Sequence, residues 1–256
     1  RMVTELLRKT LAANPEKRYA SCAELLTQIE PFLDSFQQPK PYLQTKLPLG
    51  NNYFCGRDIE LQEIHTLLQQ EKFLLLHGVG GIGKTELAKH YAMTYAEEYD
   101  AVVFVRFLDS IESTILSDTN FPIVHCTRSE GESDAAYLER KLQVLHQICT
   151  PRHLILLDNF DTGDCENLDF LTELPCPILV TSRVDYDGIF PQYEVDILSD
   201  ESALYQMMAY YTKREPDLYT DAILKALNGH TMAVELVAKQ MALHQLTSRE
   251  MYEKLC

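Results

Sequence analysis

The run Gly78-Val79-Gly80-Gly81-Ile82-Gly83-Lys84-Thr85 directly follows the apolar stretch Phe73-Leu74-Leu75-Leu76-His77, and no other junction constrains this chain as tightly. The spacing G-x-x-x-x-G-K-[ST] puts glycines where a backbone must pass close to phosphate oxygens and a lysine where its ammonium can reach β- and γ-phosphates. The threonine hydroxyl falls where it can meet Mg²⁺. A strand before the loop and a helix after it complete the unit, because a helix start aims free N–H groups and the positive end of its dipole at an anion. The expected cofactor contacts here are Gly78, Val79, Gly80, Gly81, Ile82, Gly83, Lys84, Thr85 and Glu86.

Around that unit, residues 73–76, 102–105, 154–157 and 178–181 are short continuous apolar runs rich in β-branched and leucine side chains. Strands covered on both faces of a parallel sheet have this character. Between them Leu87, Tyr91 and Tyr95 recur at helical spacing beside Ala88 and Ala92, as do Leu138, Leu142, Leu145 and Cys149. Strands alternating with amphipathic helices predict a doubly wound α/β sheet. Residues 108–133 have weak periodicity and read as a loop with a short helix. Beyond 199 the strand signal stops: Leu204, Met207, Met208 and Tyr211 form one helical stripe, and Tyr219, Ala222, Ile223, Ala226 and Leu227 a second that ends at Asn228-Gly229. Residues 232–243 form a third helix, apolar over most of its surface.

Upstream, residues 3–14 and 21–34 read as a helical hairpin about Asn14-Pro15, with Ser21 and Glu24 as a capping box. Leu6, Leu7, Leu11, Leu25, Leu26, Ile29 and Phe32 are its expected buried face, too small for an independent core. Prolines 39, 41 and 48 make 37–52 a linker. The expected organisation is therefore a hairpin over 1–36, the linker, a nucleotide-binding domain over 53–199 and a small helical domain over 200–256. The net charge of −15 argues against a broad nucleic-acid-binding face, which needs Lys and Arg to neutralise phosphates. No apolar run is long enough for a membrane span and no signal sequence is evident, so a cytoplasmic protein without a membrane partner is expected. The seven cysteines at 22, 55, 126, 149, 165, 176 and 256 form no C-x-x-C pair and read as reduced core thiols.

Leu154-Ile155-Leu156-Leu157-Asp158 supplies a carboxylate at the end of a buried strand, where α/β sheets bind ligands. Asp158 with Thr85 is the candidate Mg²⁺ site. In P-loop ATPases with an additional central strand, the next position often carries an acid that polarises the attacking water, and here it is Asn159. An amide hydrogen-bonds a water but accepts no proton at neutral pH, so slow turnover is expected. Asp161 could substitute for that acid, but a solvated turn residue is the favoured account of it. Pro177-Ile178-Leu179-Val180-Thr181-Ser182-Arg183 ends another strand in an arginine suited to contact a γ-phosphate. Lys84, Asp158, Asn159 and Arg183 are thus the candidate catalytic residues.

Five ordered segments resemble a known family. Phe54-Cys55-Gly56-Arg57 with Asp58 looks like its hhGRE motif, GVGGIGKT its Walker A loop, LILLDNFD its Walker B strand and LVTSR its sensor strand, while the stretch from Gly229 to Leu236 is similar to G-h-P-L-A-L-E-L. This is the order in NB-ARC type STAND ATPases, which include plant resistance proteins, apoptotic protease activators and bacterial signalling regulators. The resemblance covers residues 53 to about 243. It implies Lys84 on the β- and γ-phosphates, Thr85 and Asp158 on Mg²⁺, Arg183 as γ-phosphate sensor, Arg57 beside adenine and ribose, and an ARC1-like helical domain over 200–256. Thr231 departs from the family, standing where a proline packs on adenine. A second resemblance joins LLRKTLAANPEKRYASCAELLTQIEPFL to the last two helices of the C-lobe of bacterial-type Ser/Thr protein kinases, with Arg18 in the place of a turn arginine. It implies a remnant with no kinase activity of its own, fused to an upstream kinase.

These readings make the chain an ATP/ADP-binding signalling switch that uses Mg²⁺, hydrolyses slowly, and self-associates with ATP bound to engage signalling proteins. A turning-over P-loop ATPase or kinase, or a nucleotide-free scaffold for protein contacts, fits the same residues less fully.

Overall fold

The computed structural model describes residues 2–37, 39–47, 50, 53–162, 165, 167–186, 188–198 and 200–255, without the side chains of 2–5 and 31–37. Pro48, Phe32 as a side chain and Cys256, all named above, lie outside the described residues. The chain divides into two units, Arg1–Pro41 and Tyr42–Cys256.

In the first unit α1 (Met2–Thr10) and α2 (Cys22–Gln37) flank a 3₁₀ turn, Pro15–Lys17. Asn14 caps that turn through Glu16 N–H, and Arg18 Nε donates to Ala12 O at 2.6 Å. Ser21 Oγ accepts Glu24 N–H at 3.1 Å, but the Glu24 carboxylate reaches Ala20 N–H, one residue upstream of the expected reciprocal bond. The expected apolar face is largely uncovered: Leu7, Leu11 and Leu26 are exposed, and Leu6, Leu25 and Ile29 only half-buried. Cys22 is likewise exposed, not a core thiol.

The second unit runs β1 (Tyr42–Leu43), α3 (Asp58–Glu71), β2 (Phe73–His77), α4 (Lys84–Thr94), β3 (Ala101–Arg106), α5 (Ile111–Leu116), β4 (Ile123–Val124), α6 (Asp134–Ile148), β5 (His153–Asp158), α7 (Asp169–Thr172), β6 (Ile178–Thr181) and β7 (Gln192–Glu194). Helices α8 (Glu201–Thr212), α9 (Leu218–Ala226), α10 (Thr231–His244) and α11 (Ser248–Leu255) follow. The main sheet has strand order β3-β5-β6-β2-β7, every neighbour parallel. It is an α/β fold with a parallel sheet and flanking helices. Strand β6 stands between β2 and β5, so the loop-bearing strand and the Asp158 strand are not neighbours.

Both faces of the sheet are covered, which accounts for the unbroken apolar runs. Alternate residues Leu75, Val103, Ile155 and Val180 pack with Ile115, Tyr137 and Leu145 on one face, and Leu74, Val102, Leu156 and Leu179 with Ile64, Leu68, Leu87 and Tyr91 on the other. A third cluster, around Leu204, Met208, Ile223, Val234 and Met241, forms the core of the C-terminal helices.

Three expectations change. The region read as a linker contains β1, which pairs antiparallel with β4, and Lys46, which hydrogen-bonds Val102 O and Phe104 N–H along the free side of β3. An edge strand is thereby covered. Residues 108–133 hold the expected short helix, α5, closed at its start by a Ser110–Ser113 capping box, and in addition a strand, β4. On α6 the deepest positions are Tyr137, Lys141 and Leu145, one step from the leucine stripe that periodicity picks out. Lys141 is fully buried, with Nζ 2.8 Å from Asp118 Oδ1, an acceptor that Tyr137 Oη shares at 2.5 Å. Among the described residues no helix is long and apolar enough to cross a membrane.

Asp118 is half exposed, so losing its partner leaves a carboxylate that water can solvate. Lys141→Met is therefore expected to stay within about 1 kcal/mol of wild-type stability. Lys141→Ala, which opens a cavity as well, should lose about 2–5 kcal/mol, both read from chemical denaturation midpoints.

Candidate functional site

The loop between β2 and α4 opens at the carboxyl edge of the sheet. Gly78 has φ 143°, and a Cβ there would lie 2.5 Å from Val195 O, so only glycine fits. Gly83, also at positive φ (108°), is the N-cap of α4 and offers no side-chain cap, which leaves first-turn N–H groups for another partner. Lys84 folds back along the loop, Nζ donating to Gly78 O at 2.7 Å and Val79 O at 3.0 Å. Burial pushes its ammonium below the usual lysine range. The carboxylates of Asp161 and Asp158 draw it back up, and the Arg183 cation works against them.

The strand ends converge on one carboxylate. Asp158 is buried, and its Oδ1 accepts both Thr85 Oγ1 at 2.6 Å and Thr181 Oγ1 at 2.8 Å. Thr181 in turn accepts Asn159 N–H at 2.9 Å. A buried carboxylate beside a hydroxyl is an all-oxygen donor set of the kind that hard cations such as Mg²⁺ take. Asn159 has φ 65°, a left-handed position that asparagine tolerates, and it lines the cavity.

Asp161 is not the solvated turn residue expected from sequence. Its side chain is 15% exposed, Oδ2 accepts Arg183 Nε and Oδ1 accepts Arg183 N–H, each at 2.6 Å. Arg183, 61% exposed as a side chain, is thereby pinned beside the loop, its Cδ 3.4 Å from where a Cβ on Gly80 would stand.

Arg57, expected beside a base and sugar, is 4% exposed and braces the site from within. Its guanidinium bonds Glu60 at 2.8 Å, Ile82 O at 3.2 Å and Asp196 O at 2.9 Å. Glu86 pairs with Lys89, and Thr231 Oγ1 donates to the loop carbonyls of Gly81 and Ile82.

These groups surround a cavity of about 420 Å³, within the range typical of small-molecule sites. Its lining divides by chemistry into a polar set (Lys84, Thr85, Asn159, Asp161, Arg183) and an apolar one that includes Tyr53, Phe54, Leu198 and Met207. Gly80, Gly81, Ile82, Gly83, Glu86, Arg57 and Thr231 also line it, while Gly78, Val79 and Asp158 are not part of the lining. Sequence reasoning missed Thr181, Leu198 and Met207 as site residues and set Asp161 aside as a turn residue. Thr181 carries a local signal, a hydroxyl just beside the strand-end position already singled out.

Thr181→Val keeps the side chain's shape and leaves Asp158 Oδ1 and Asn159 N–H without their shared hydroxyl. The expected loss is about 1–3 kcal/mol in the denaturation midpoint.

No family model and no curated protein matches the sequence. Solved structures do match the fold. The Walker-type ATPase of Pyrococcus abyssi superposes with a TM-score of 0.55 at 13% identity, covering 83% of this chain and 74% of that one. AMPPCP-bound DnaA from Aquifex aeolicus gives 0.54 at 14% identity, covering 79% and 67%. RuvB of Thermotoga maritima gives 0.50 at 14%, covering 82% and 71%. With its parallel sheet, its glycine-rich loop at the carboxyl edge and these neighbours, the chain has the α/β fold of P-loop NTPases.

Proposed function

We propose that this protein is an ATP/ADP-dependent switch of the NB-ARC/STAND type, with Mg²⁺ as cofactor and slow hydrolysis. The observation that carries the reading is the convergence of Lys84, Thr85 and Arg183 on one cavity of nucleotide-compatible size, with Asp158 hydrogen-bonded to Thr85. The DnaA neighbour, which holds AMPPCP, adds to it. In this reading the first-turn N–H groups of α4 and the Lys84 ammonium take the phosphates, and the Thr85 and Asp158 oxygens hold the metal, which supplies charge neutralisation at the phosphates. The apolar set around Tyr53 and Met207 takes the base.

Two features favour holding over turnover. Asn159 offers an amide where a proton acceptor would stand, and the next carboxylate after it along the chain, Asp161, is engaged by Arg183. Arg183 has a guanidinium suited to a phosphate group that only one nucleotide state possesses, so it biases the two states differently. The five ordered motifs support the finer assignment: 53–199 as nucleotide-binding domain, 200–256 as ARC1-like domain, and self-association when ATP is bound, with signalling proteins as partners. An upstream Ser/Thr kinase as effector rests on the resemblance of residues 1–36.

A hundredfold excess of Mg-ADP over its Kd is expected to raise Tm by about 5–10 °C, and Lys84→Ala to abolish that shift. Arg183→Ala should weaken a non-hydrolysable ATP analogue and leave ADP affinity unchanged. Rapid steady-state hydrolysis by the isolated chain would overturn the switch in favour of a turning-over enzyme, and the absence of any nucleotide-induced shift would leave a scaffold.

A further inference from the structure

The start of α10 grips the phosphate loop by its carbonyls. His230 Nε2 lies 3.1 Å from Gly80 O, Thr231 Oγ1 lies 3.2 Å from Gly81 O and 2.9 Å from Ile82 O, and Met232 N–H donates to Gly81 O at 3.3 Å. Three consecutive residues thus meet three consecutive loop carbonyls, 150 positions earlier in the chain. The other ring nitrogen of His230, Nδ1, caps the helix by accepting Ala233 N–H at 3.3 Å. A ring that accepts there carries its proton on Nε2, which makes Nε2 the donor to Gly80 O. Gly81 permits this approach: it has φ 78°, and a Cβ on it would stand 2.9 Å from His230 Cε1 and 3.0 Å from Met232 Sδ.

In a trans peptide unit the C=O and the N–H that follows it point in opposite directions. Fixing the carbonyls of Gly80, Gly81 and Ile82 therefore fixes the N–H vectors of Gly81, Ile82 and Gly83. Ile82 N–H donates to Val79 O at 3.3 Å. Among the described residues no backbone carbonyl outside the helices and strands accepts from Gly81 or Gly83, and both glycines line the cavity.

We infer that Thr231, seconded by His230, is a positioning residue for nucleotide binding, acting through the carbonyls of Gly81 and Ile82 to hold the loop's N–H donors in their anion-binding orientation. The inference rests on the nucleotide reading above and adds to it a route of coupling. The same bonds that set the loop also anchor the first turn of α10, so a ligand that orders the loop orders the helix start, and the reverse holds by linkage. The hydroxyl that replaces the family's proline here ties loop to helix.

The test titrates Mg-ADP into wild type, Thr231→Val and Thr231→Ser by calorimetry, with amide hydrogen exchange of the nucleotide-free proteins alongside. Valine keeps the shape without the hydroxyl, and serine restores the hydroxyl. Loss of the hydroxyl's shared bond should weaken ADP about tenfold in Thr231→Val and accelerate exchange at residues 80–83, with Thr231→Ser close to wild type in both. His230→Asn, which keeps a cap acceptor but does not reach Gly80, should lose about threefold and serves if the valine variant fails to fold. Wild-type ADP affinity in both Thr231→Val and His230→Asn, or equal losses in the valine and serine variants, would overturn the inference while the nucleotide reading stands. A wild type that binds neither ADP nor ATP at millimolar concentration overturns the nucleotide reading itself.

Discussion

One carboxylate oxygen organises the carboxyl edge of this molecule's sheet. Asp158 Oδ1 receives hydroxyls from Thr85, on the first turn of α4, and from Thr181, at the end of β6. Its own strand, β5, is not hydrogen-bonded to the loop-bearing strand β2, and β6 lies between them. The two short bonds span that gap, tying a helix start and two strand ends into one unit. Buried polar groups must find partners or cost free energy, so the arrangement fixes the relative height of three elements to within a hydrogen-bond length.

Around that point the phosphate loop is held from several directions. Lys84 bonds the carbonyls of Gly78 and Val79, Arg57 at the N-cap of α3 reaches Ile82 O, and the start of α10 takes the carbonyls of Gly80, Gly81 and Ile82. A loop whose carbonyls are this fully engaged has its amides oriented before any anion arrives. Preorganisation of that kind lowers the ordering cost of binding. It also makes the C-terminal helices part of the site's framework.

Much of this was legible in the chain. The runs at 73–76, 102–105, 154–157 and 178–181 are strands in the structure, because a strand buried on both faces leaves an unbroken apolar signature that a short, half-buried edge strand such as Gln192–Glu194 lacks. The loop and Asp158 were readable from residue type and spacing. Asp161 was not, since an aspartate after a strand end has the same local pattern whether it faces water or Arg183. Lys141 left no signal of its burial either: the apolar stripe picks out Leu138 and Leu142 beside it, and Asp118, brought in from another segment, with Tyr137 one turn earlier on α6, makes that burial tolerable.

The sequence by itself determined the strand–loop–helix unit, the strand carboxylate and the succession from α/β segment to helices, because each is written in local spacing and in the conformational needs of glycine. Tertiary structure alone decided which hydroxyls meet Asp158, what holds Arg183, and that Thr231 bonds a loop 150 residues away. Those facts depend on strand order and register. Both are set by the packing of the whole sheet, and neither leaves a trace in any single segment.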